Sequence, residues 1–298
     1  MSNSPPDLTA ELRGLVAAEL AEPADPRVMA MAEAIAARHG TAARAVLFYG
    51  SCLRESELEG RMLDFYLVVS DYGSAYDKGW LAAANRLIPP NVFPFAHRDL
   101  VAKYAVLSEA DFHRLNGPET RSVSVWARFA QPSRLVWVAD EAARDRAVTS
   151  VARAAPTLLS AALCSLNNEQ SPLDLWRGAF ALTYRAELRA EKGDRASSVV
   201  DADPARYLRF FGPAMAAARV TGQRCGGSWR RRRIEGKLLS VARLAKASAT
   251  YAGGADYLAW KINRHAGTSI KLSEWQRRHP LLAAVSLLPR LIRSGAIR

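Results

Sequence analysis

Cysteine is scarce in this sequence, and Cys52, Cys164 and Cys225 show no CxxC or CxxH spacing. An odd number of cysteines without such spacing indicates neither a disulfide framework nor a structural zinc site, so we expect a reducing, cytoplasmic environment. Long apolar runs are also missing. The best uncharged stretches, residues 154–168 and 280–289, fall short of the roughly 20 apolar residues that a bilayer-spanning helix needs. We therefore expect no transmembrane segment.

Acidic residues are nearly absent from the C-terminal third of the chain. Residues 1–140 hold 14 basic and 17 acidic residues, whereas residues 205–298 hold 19 basic and 3 acidic residues. Such a concentrated positive charge favours polyanions, namely nucleic acid, anionic lipid headgroups or a nucleotide triphosphate. The first 25 residues hold five acidic residues and one basic residue, which is the wrong net charge for a targeting peptide, so no import signal is expected.

The remaining composition is that of an ordinary globular protein, with 298 residues of which 49% are hydrophobic and 23% charged. Length favours about two domains. Apolar spacing predicts helices over the first 39 residues, followed by two neighbouring buried strands at residues 45–49 and 62–69. Further strands are predicted at residues 100–107 and 134–138. Ser108 is predicted to cap a helix that begins near Glu109.

Helical periodicity dominates after Asp140, over residues 142–166 and 173–188. A polar stretch at residues 222–233, rich in glycine and arginine, is predicted to interrupt this helical part. We accordingly predict an α+β fold in three parts: an N-terminal domain with a mixed sheet over residues 1–140, a mainly helical domain over residues 141–260, and a C-terminal basic segment over residues 261–298.

The most informative motif is a strand that ends in Gly50-Ser51 and is followed by Asp64 on the next strand. Glycine lets the backbone approach a phosphate closely, and the serine hydroxyl and amide are donors for phosphate oxygens. A carboxylate on the adjacent strand is placed to hold Mg²⁺ against the same triphosphate. The pattern favours nucleotidyl transfer. The alternative is a structural Gly-Ser turn, with Asp64 bonded to a loop amide.

The motif resembles the signature of the nucleotidyltransferase superfamily related to DNA polymerase beta, although Phe65 and Tyr66 follow Asp64 and no Asp-x-Asp pair is present. FYGSCLRESELEGRMLDFYLVVSD at residues 48–71 is similar to the mitochondrial-type phosphatidate cytidylyltransferases of the translocator assembly and maintenance family. KYAVLS (103–108), the stretch 126–132 and TYRAELRAEKGDRASSVV (183–200) are similar to that family's later blocks, in the same order.

The resemblance implies a nucleotidyltransferase domain of the DNA polymerase beta type and a winged-helix-like second domain. It also implies a Mg²⁺ or Mn²⁺ site held by Asp64 and Glu187. Gly50, Ser51, Lys103 and Arg189 would then bind the nucleotide. From the residues alone, Glu187 is equally an ordinary neighbour of arginines on an amphipathic helix, and Lys103 and Arg189 are equally members of surface ion pairs. Because no transit peptide is expected in the first 25 residues, the chain is similar to a bacterial relative of the mitochondrial enzymes.

The C-terminal segment combines arginines with a leucine-rich apolar face, from Glu274 to Arg298. Basic residues that flank an apolar face suit a helix lying in an anionic membrane interface. The alternative is a terminal helix packed on the protein's own core. In the resembling family the C-terminal segment associates with membranes, which favours peripheral attachment.

The reaction that the resemblance implies is transfer of CMP from CTP to phosphatidate, giving CDP-diacylglycerol and pyrophosphate at a membrane surface. CTP, phosphatidate and an anionic membrane are the expected partners, and nucleic acid is not expected. Two alternatives stay open. One is a non-catalytic nucleic-acid-binding protein with a degenerate nucleotidyltransferase fold, and the other is nucleotidyl transfer to RNA or to a small acceptor.

Overall fold

The structure is a computed structural model and describes residues 8–55, 58–163, 165–166, 170–187, 195–220, 229–250 and 273–274. Its helices are α1 (Leu8–Leu20), α2 (Pro26–Ala37), α3 (Ser51–Glu55), α4 (Tyr72–Ala75), α5 (Gly79–Leu87), α6 (Glu109–Asn116), α7 (Trp126–Phe129), α8 (Glu141–Ala152), α9 (Ala154–Leu163), α10 (Pro172–Ala186), α11 (Arg195–Asp201), α12 (Pro204–Val220) and α13 (Trp229–Thr250). A short 3-10 turn, Gly40–Ala42, precedes the first strand.

Five strands form one mixed sheet, which confirms the predicted α+β class. They are β1 (Ala43–Tyr49), β2 (Met62–Val69), β3 (Asn91–His97), β4 (Leu100–Ser108) and β5 (Ser133–Val138). Their order across the sheet is β3-β4-β2-β1-β5. The pair β2 and β4 is parallel, and the other neighbouring pairs are antiparallel.

Helices cover both faces of this sheet, which explains why β2 is an almost unbroken apolar run. On one face Leu47, Tyr66 and Leu107 belong to a core that we call the helical-face core, which they share with residues of α1, α6, α8, α9, α10 and α12. On the other face Val46 and Phe65 pack with apolar residues of α2. Side chains that alternate along each strand therefore reach two separate cores.

Capping side chains define several helix starts, among them the one predicted at Ser108. The Asp25 carboxylate accepts a hydrogen bond from the backbone N–H of Arg27 at the start of α2. The Ser108 hydroxyl accepts one from the N–H of Asp111, so the predicted cap of α6 is confirmed. These bonds satisfy backbone donors that the first turn of a helix leaves without partners.

Three predictions of secondary structure were wrong in detail. The edge strand β3 was missed because Pro94 interrupts its apolar pattern, yet an edge position tolerates a residue that lacks the N–H donor. The helical periodicity predicted over residues 142–166 corresponds to two helices, α8 and α9, because Pro156 has no N–H to donate to the carbonyl of Ala152. The predicted interruption at 222–233 ends earlier, since α13 begins at Trp229 and includes the run of arginines.

Residues on both sides of the predicted boundary at 140 share the helical-face core, including Leu12, Tyr66 and Phe210. The domain boundaries themselves stay a prediction. The described part of residues 141–250 is helical and carries no strand, so the described residues give the implied winged-helix motif no support beyond its helices.

No helix in the described ranges combines the length and apolarity needed to cross a membrane. The C-terminal segment lies outside the described residues except for Ser273 and Glu274.

Candidate functional site

Gly50 and Asp64 lie against each other at one end of the sheet. Antiparallel pairing of β1 and β2 puts Tyr49 opposite Asp64, and Gly50 follows directly with a φ of +98°. A Cβ atom on Gly50 would lie 3.2 Å from Oδ2 of Asp64. Both the backbone angle and the close approach require glycine here. The structure therefore brings together two of the residues singled out by the motif, with Ser51 following as the first residue of α3.

Lys103 extends the same row across the sheet. The parallel pairing of β2 and β4 puts Lys103 opposite Asp64, and its Nζ lies 3.0 Å from Oδ1 of that carboxylate. Oδ1 is buried, yet it has no partner with hydrogen-bond geometry. The carboxylate of Asp64 thus keeps a buried oxygen that is able to accept a further donor or a metal ion.

A cavity of about 150 Å³ adjoins this row on the helical face of the sheet. Tyr66, Val92, Lys103 and Ala105 form the sheet side of the cavity, and the facing elements contribute Ser124, Arg128, Arg243 and Lys246. Asp64 and Gly50 do not line it themselves, but the ion-pair partner of Asp64 does. The cavity is consequently lined by four cationic side chains from β4, α7 and α13.

Arg128 connects the Asp64 end of the cavity to Glu187. Its Nη1 lies 3.6 Å from Oε1 of Glu187, whose side chain is only 8% exposed at the end of α10. The same guanidinium donates to the carbonyl oxygen of Ser124. Burial lowers the pKa of Arg128, but attraction to Glu187, to the tyrosine hydroxyls of Tyr49 and Tyr66 and to Asp64 raises it overall. Arg128 is therefore a permanently charged group between the two predicted carboxylates.

Two tyrosines, Tyr49 and Tyr66, interact electrostatically with this arginine. Burial raises the pKa of Tyr49 well above its usual value, and the negative charge of Asp64 adds to that effect. Burial likewise raises the pKa of Tyr66, although Arg128 and Arg243 oppose the change. Both phenols stay neutral near pH 7, so the charges in this part of the molecule belong to arginine, lysine and the two carboxylates.

Arg243 and Lys246 project from α13 onto the loop before β3. Nε of Arg243 donates to the carbonyl oxygen of Pro89 at 2.8 Å, and its Nη1 donates to the Ser124 hydroxyl at 2.9 Å. Nζ of Lys246 donates to the carbonyl oxygens of Ile88 and Pro90, the latter at 2.8 Å. These bonds hold both cations at the cavity in one orientation.

Glu187 and Asp64 are the two carboxylates that the resemblance predicts as ligands of a metal ion. Within the part of the chain that the structure describes, no group of three or more His, Cys, Asp or Glu side chains is arranged to bind a metal. A magnesium ion in a nucleotide site needs only one or two protein carboxylates, because substrate phosphates and water supply its other ligands. Oδ1 of Asp64 is paired only with the Lys103 ammonium group and lacks a partner with hydrogen-bond geometry, which fits that requirement.

The structure thus places Gly50, Asp64 and Lys103 together and links Glu187 to them through Arg128. Arg189, predicted to bind the nucleotide, lies outside the described residues. Sequence reasoning missed the roles of Arg243 and Lys246, whose only signal was the C-terminal excess of basic residues. The chain matches no protein-family model, and no curated protein matches its sequence significantly. The resemblance carried by the motifs therefore stays a prediction.

Proposed function

We propose that the protein is a nucleotidyltransferase that transfers CMP from CTP to phosphatidate, and that its sheet is of the DNA polymerase beta type. The single observation that carries the proposal is the row of Gly50, Asp64 and Lys103 at the edge of a cavity lined by cations. The motif resemblance supplies the substrates. Partly buried arginine and lysine side chains suit phosphate groups, which carry charge and need several donors.

Within this proposal, the triphosphate of CTP lies against Gly50 and Ser51, and Lys103 leaves Asp64 to contact phosphate oxygens. Asp64 and Glu187 would hold the Mg²⁺ or Mn²⁺ ion. The ion, when bound, neutralises charge on the triphosphate and so stabilises the transition state. Release of Lys103 from the 3.0 Å ion pair would be favourable, because a phosphate replaces the carboxylate as its partner.

The chemical step balances without a strong base. A phosphate oxygen of phosphatidate forms a bond to the α-phosphorus of CTP, while the bond from that phosphorus to the bridging oxygen of the β-phosphate breaks and pyrophosphate leaves. The acceptor is already an anion near pH 7, so no proton needs to be removed from it. Positioning and charge neutralisation by Lys103 and Arg128 are the contributions required from this chain.

The proposal also includes reversible attachment to an anionic membrane from the cytoplasmic side. Phosphatidate resides in a bilayer, and the basic, leucine-rich residues between 274 and 298 have the composition of an interfacial segment. Exposed arginine and lysine contribute about 1 kcal/mol each near an anionic surface. High salt should weaken this attachment by screening.

The test is an assay of the purified protein with each nucleoside triphosphate labelled at the α-phosphate, Mg²⁺ and phosphatidate vesicles. We expect a labelled liponucleotide with CTP. Asp64→Asn should reduce its formation by at least about 100-fold, because a group at the reacting phosphate is lost. Asp99→Asn is the control, since that exposed carboxylate lies away from the cavity, in an ion pair with Arg27.

Failure to form a liponucleotide with any nucleotide would overturn the proposal, as would full activity of the Asp64 variant. Salt-dependent binding of RNA or DNA without turnover would instead support a non-catalytic nucleic-acid-binding protein. Labelling of RNA or of a small hydroxyl acceptor would support the other enzymatic alternative.

A further inference from the structure

Two cations of α13, Arg243 and Lys246, line the cavity together with Lys103 and Arg128. The Arg243 guanidinium donates to the hydroxyls of Ser122 and Ser124, at 3.3 and 2.9 Å. The Lys246 ammonium group lies beside it and is held by carbonyl oxygens of the loop before β3. The serines and carbonyls orient these two cations but do not neutralise them.

No carboxylate among the described residues lies at ion-pair distance from Arg243 or Lys246, in contrast to Lys103 and Arg128. Burial is the largest influence that lowers the pKa of Arg243, and repulsion from Arg128 in the same cavity lowers it further. Attraction to the more distant Glu187 acts in the opposite direction. Burial and the neighbouring Arg243 lower the pKa of Lys246 to about 7. Two adjacent, partly buried positive charges repel each other, and a bound anion would supply the counter-charge that the described carboxylates do not.

The chemistry of Arg243 and Lys246 suits a phosphate ester. A guanidinium and an ammonium group, with the Ser124 hydroxyl beside them in the cavity lining, offer charged donors from more than one direction, which matches the oxygens of a phosphomonoester dianion. The cavity volume of about 150 Å³ accommodates a phosphate headgroup. The same cavity is also lined by Lys103, the partner of Asp64.

We propose that Arg243 and Lys246 form a second phosphate subsite, which binds the phosphomonoester group of the acceptor while the Asp64 and Lys103 side binds the nucleotide. This inference rests on the proposed function for the identity of the acceptor. The subsite positions an acceptor oxygen towards the nucleotide, and its two cations keep the two phosphates in one cavity despite their mutual repulsion. Arg243 and Lys246 are accordingly residues that bind the acceptor.

The test measures binding separately from activity. Calorimetry with water-soluble dihexanoyl phosphatidate, glycerol 3-phosphate, inorganic phosphate and CTP should be performed on the full chain and on Arg243→Met and Lys246→Gln. Glutamine keeps an N–H donor for the carbonyl oxygens but removes the charge. We expect each variant to weaken phosphatidate binding by about tenfold or more, with CTP affinity changed by less than about threefold, because one charged hydrogen-bonding partner is lost.

Lys237→Gln is the matched control, because Lys237 is an exposed lysine on the same helix. The three phosphate probes distinguish the source of the ligand: equal affinity for inorganic phosphate and phosphatidate would indicate a general phosphate site, and preference for phosphatidate would indicate a lipid headgroup. Circular dichroism and thermal unfolding check the fold. Should Arg243→Met fail to fold, Arg243→Lys keeps a charge while removing the paired donors and should still weaken phosphatidate binding.

The inference is overturned if phosphatidate and phosphate bind the variants as they bind the parent, or if CTP affinity falls as much as phosphatidate affinity. Its failure is distinguishable from failure of the proposed function. A parent protein that makes a liponucleotide with unchanged KM for phosphatidate in both variants would retain the function and lose the subsite. Phosphate-ester binding that depends on Arg243 without any cytidylyl transfer would retain the subsite and lose the function.

Discussion

At the residue scale, Gly50 is the position where backbone and side-chain chemistry constrain each other most strongly. Its φ of +98° suits glycine alone, and the space where a Cβ atom would lie is next to the Asp64 carboxylate. Gly60 offers a comparison, because its φ of +65° is also positive but nothing lies within 4 Å of the Cβ position. The two glycines therefore separate backbone strain from contact with Asp64.

We predict that Gly50→Ala destabilises the protein by about 1 to 2 kcal/mol and also reduces cytidylyl transfer, because the methyl group displaces the Asp64 carboxylate. Gly60→Ala should lower stability by a similar or smaller amount and leave transfer intact. Urea unfolding and the liponucleotide assay measure the two effects. Equal activity of both variants would show that the close approach of Gly50 to Asp64 has no functional role.

Lys246 predicts a specific dependence of stability on pH. The pKa of Lys246 is about 7 in the folded protein, whereas the ordinary pKa of a lysine is 10.5. Between these two pH values the unfolded chain binds a proton that the folded chain does not. Stability contributed by this group therefore rises as pH increases from 7 towards 10. Urea unfolding at pH 6.5, 8 and 9.5 should show the parent gaining stability relative to Lys246→Met.

The control for this experiment is Lys237→Met, which replaces an exposed lysine on the same helix. Its stability difference from the parent should stay constant across the same pH range. A constant difference for Lys246→Met as well would mean that Lys246 keeps its proton in the folded state throughout.

At the element scale, helix α13 supplies two of the four cationic side chains that line the cavity. The helix packs against α10 at Gly236, where a Cβ atom would lie 2.2 Å from the carbonyl oxygen of Ala186. Ala186 immediately precedes Glu187. Near its start, Arg232 is buried and donates to the carbonyl oxygens of Thr120 and Arg121. These contacts determine where the same helix places Arg243 and Lys246 two to three turns later.

We predict that Gly236→Ala lowers both stability and phosphatidate binding, because the backbone contact forces α13 away from α10. In an open helix the same substitution is favourable by up to about 1 kcal/mol. Gly212→Ala in α12 is the matched control, since nothing lies within 4 Å of that Cβ position. Thermal unfolding and calorimetry with dihexanoyl phosphatidate would detect the difference, and a Gly236 variant as stable as the Gly212 variant would contradict the close packing.

At the scale of the whole molecule, a buried ion pair joins the N-terminal helix to the helical part of the chain. Nη2 of Arg206 in α12 donates to Oε1 of Glu19 in α1 at 2.9 Å, and the two side chains are 3% and 6% exposed. The same guanidinium donates to the carbonyl oxygen of Ala130, just after α7. Elements from both predicted domains therefore meet at one charged pair within the helical-face core.

We predict that Glu19→Gln destabilises the protein by about 3 kcal/mol, because it leaves the Arg206 charge buried without a counter-ion. Glu22→Gln is the control: Glu22 pairs with Arg134, but its side chain is 49% exposed, and its loss should cost less than about 1 kcal/mol. Urea unfolding gives both values. Similar losses for the two variants would show that burial adds nothing to the importance of the Glu19 pair.

Local chemistry was sufficient to predict much of the fold. Apolar runs identified β1, β2, β4 and β5, because the periodicity of strands and helices can be recognised from consecutive residues. The cap at Ser108 was equally local, since a hydroxyl and an N–H three residues later form it. Errors arose where tertiary context overrides the local pattern, as at Pro94 on the sheet edge.

The sequence by itself determined that Gly50 and Asp64 meet, because an antiparallel pair of strands separated by a short connection has few possible registers. It did not determine that Arg128, Arg243 and Lys246 join them at one cavity. Those residues are separated from Asp64 by up to about 180 positions, and no short-range pattern relates them. Only the docking of α13 on α10 and on the sheet brings these cations together, because that docking depends on contacts between residues far apart in the sequence, such as Gly236 with Ala186 and Arg232 with Thr120.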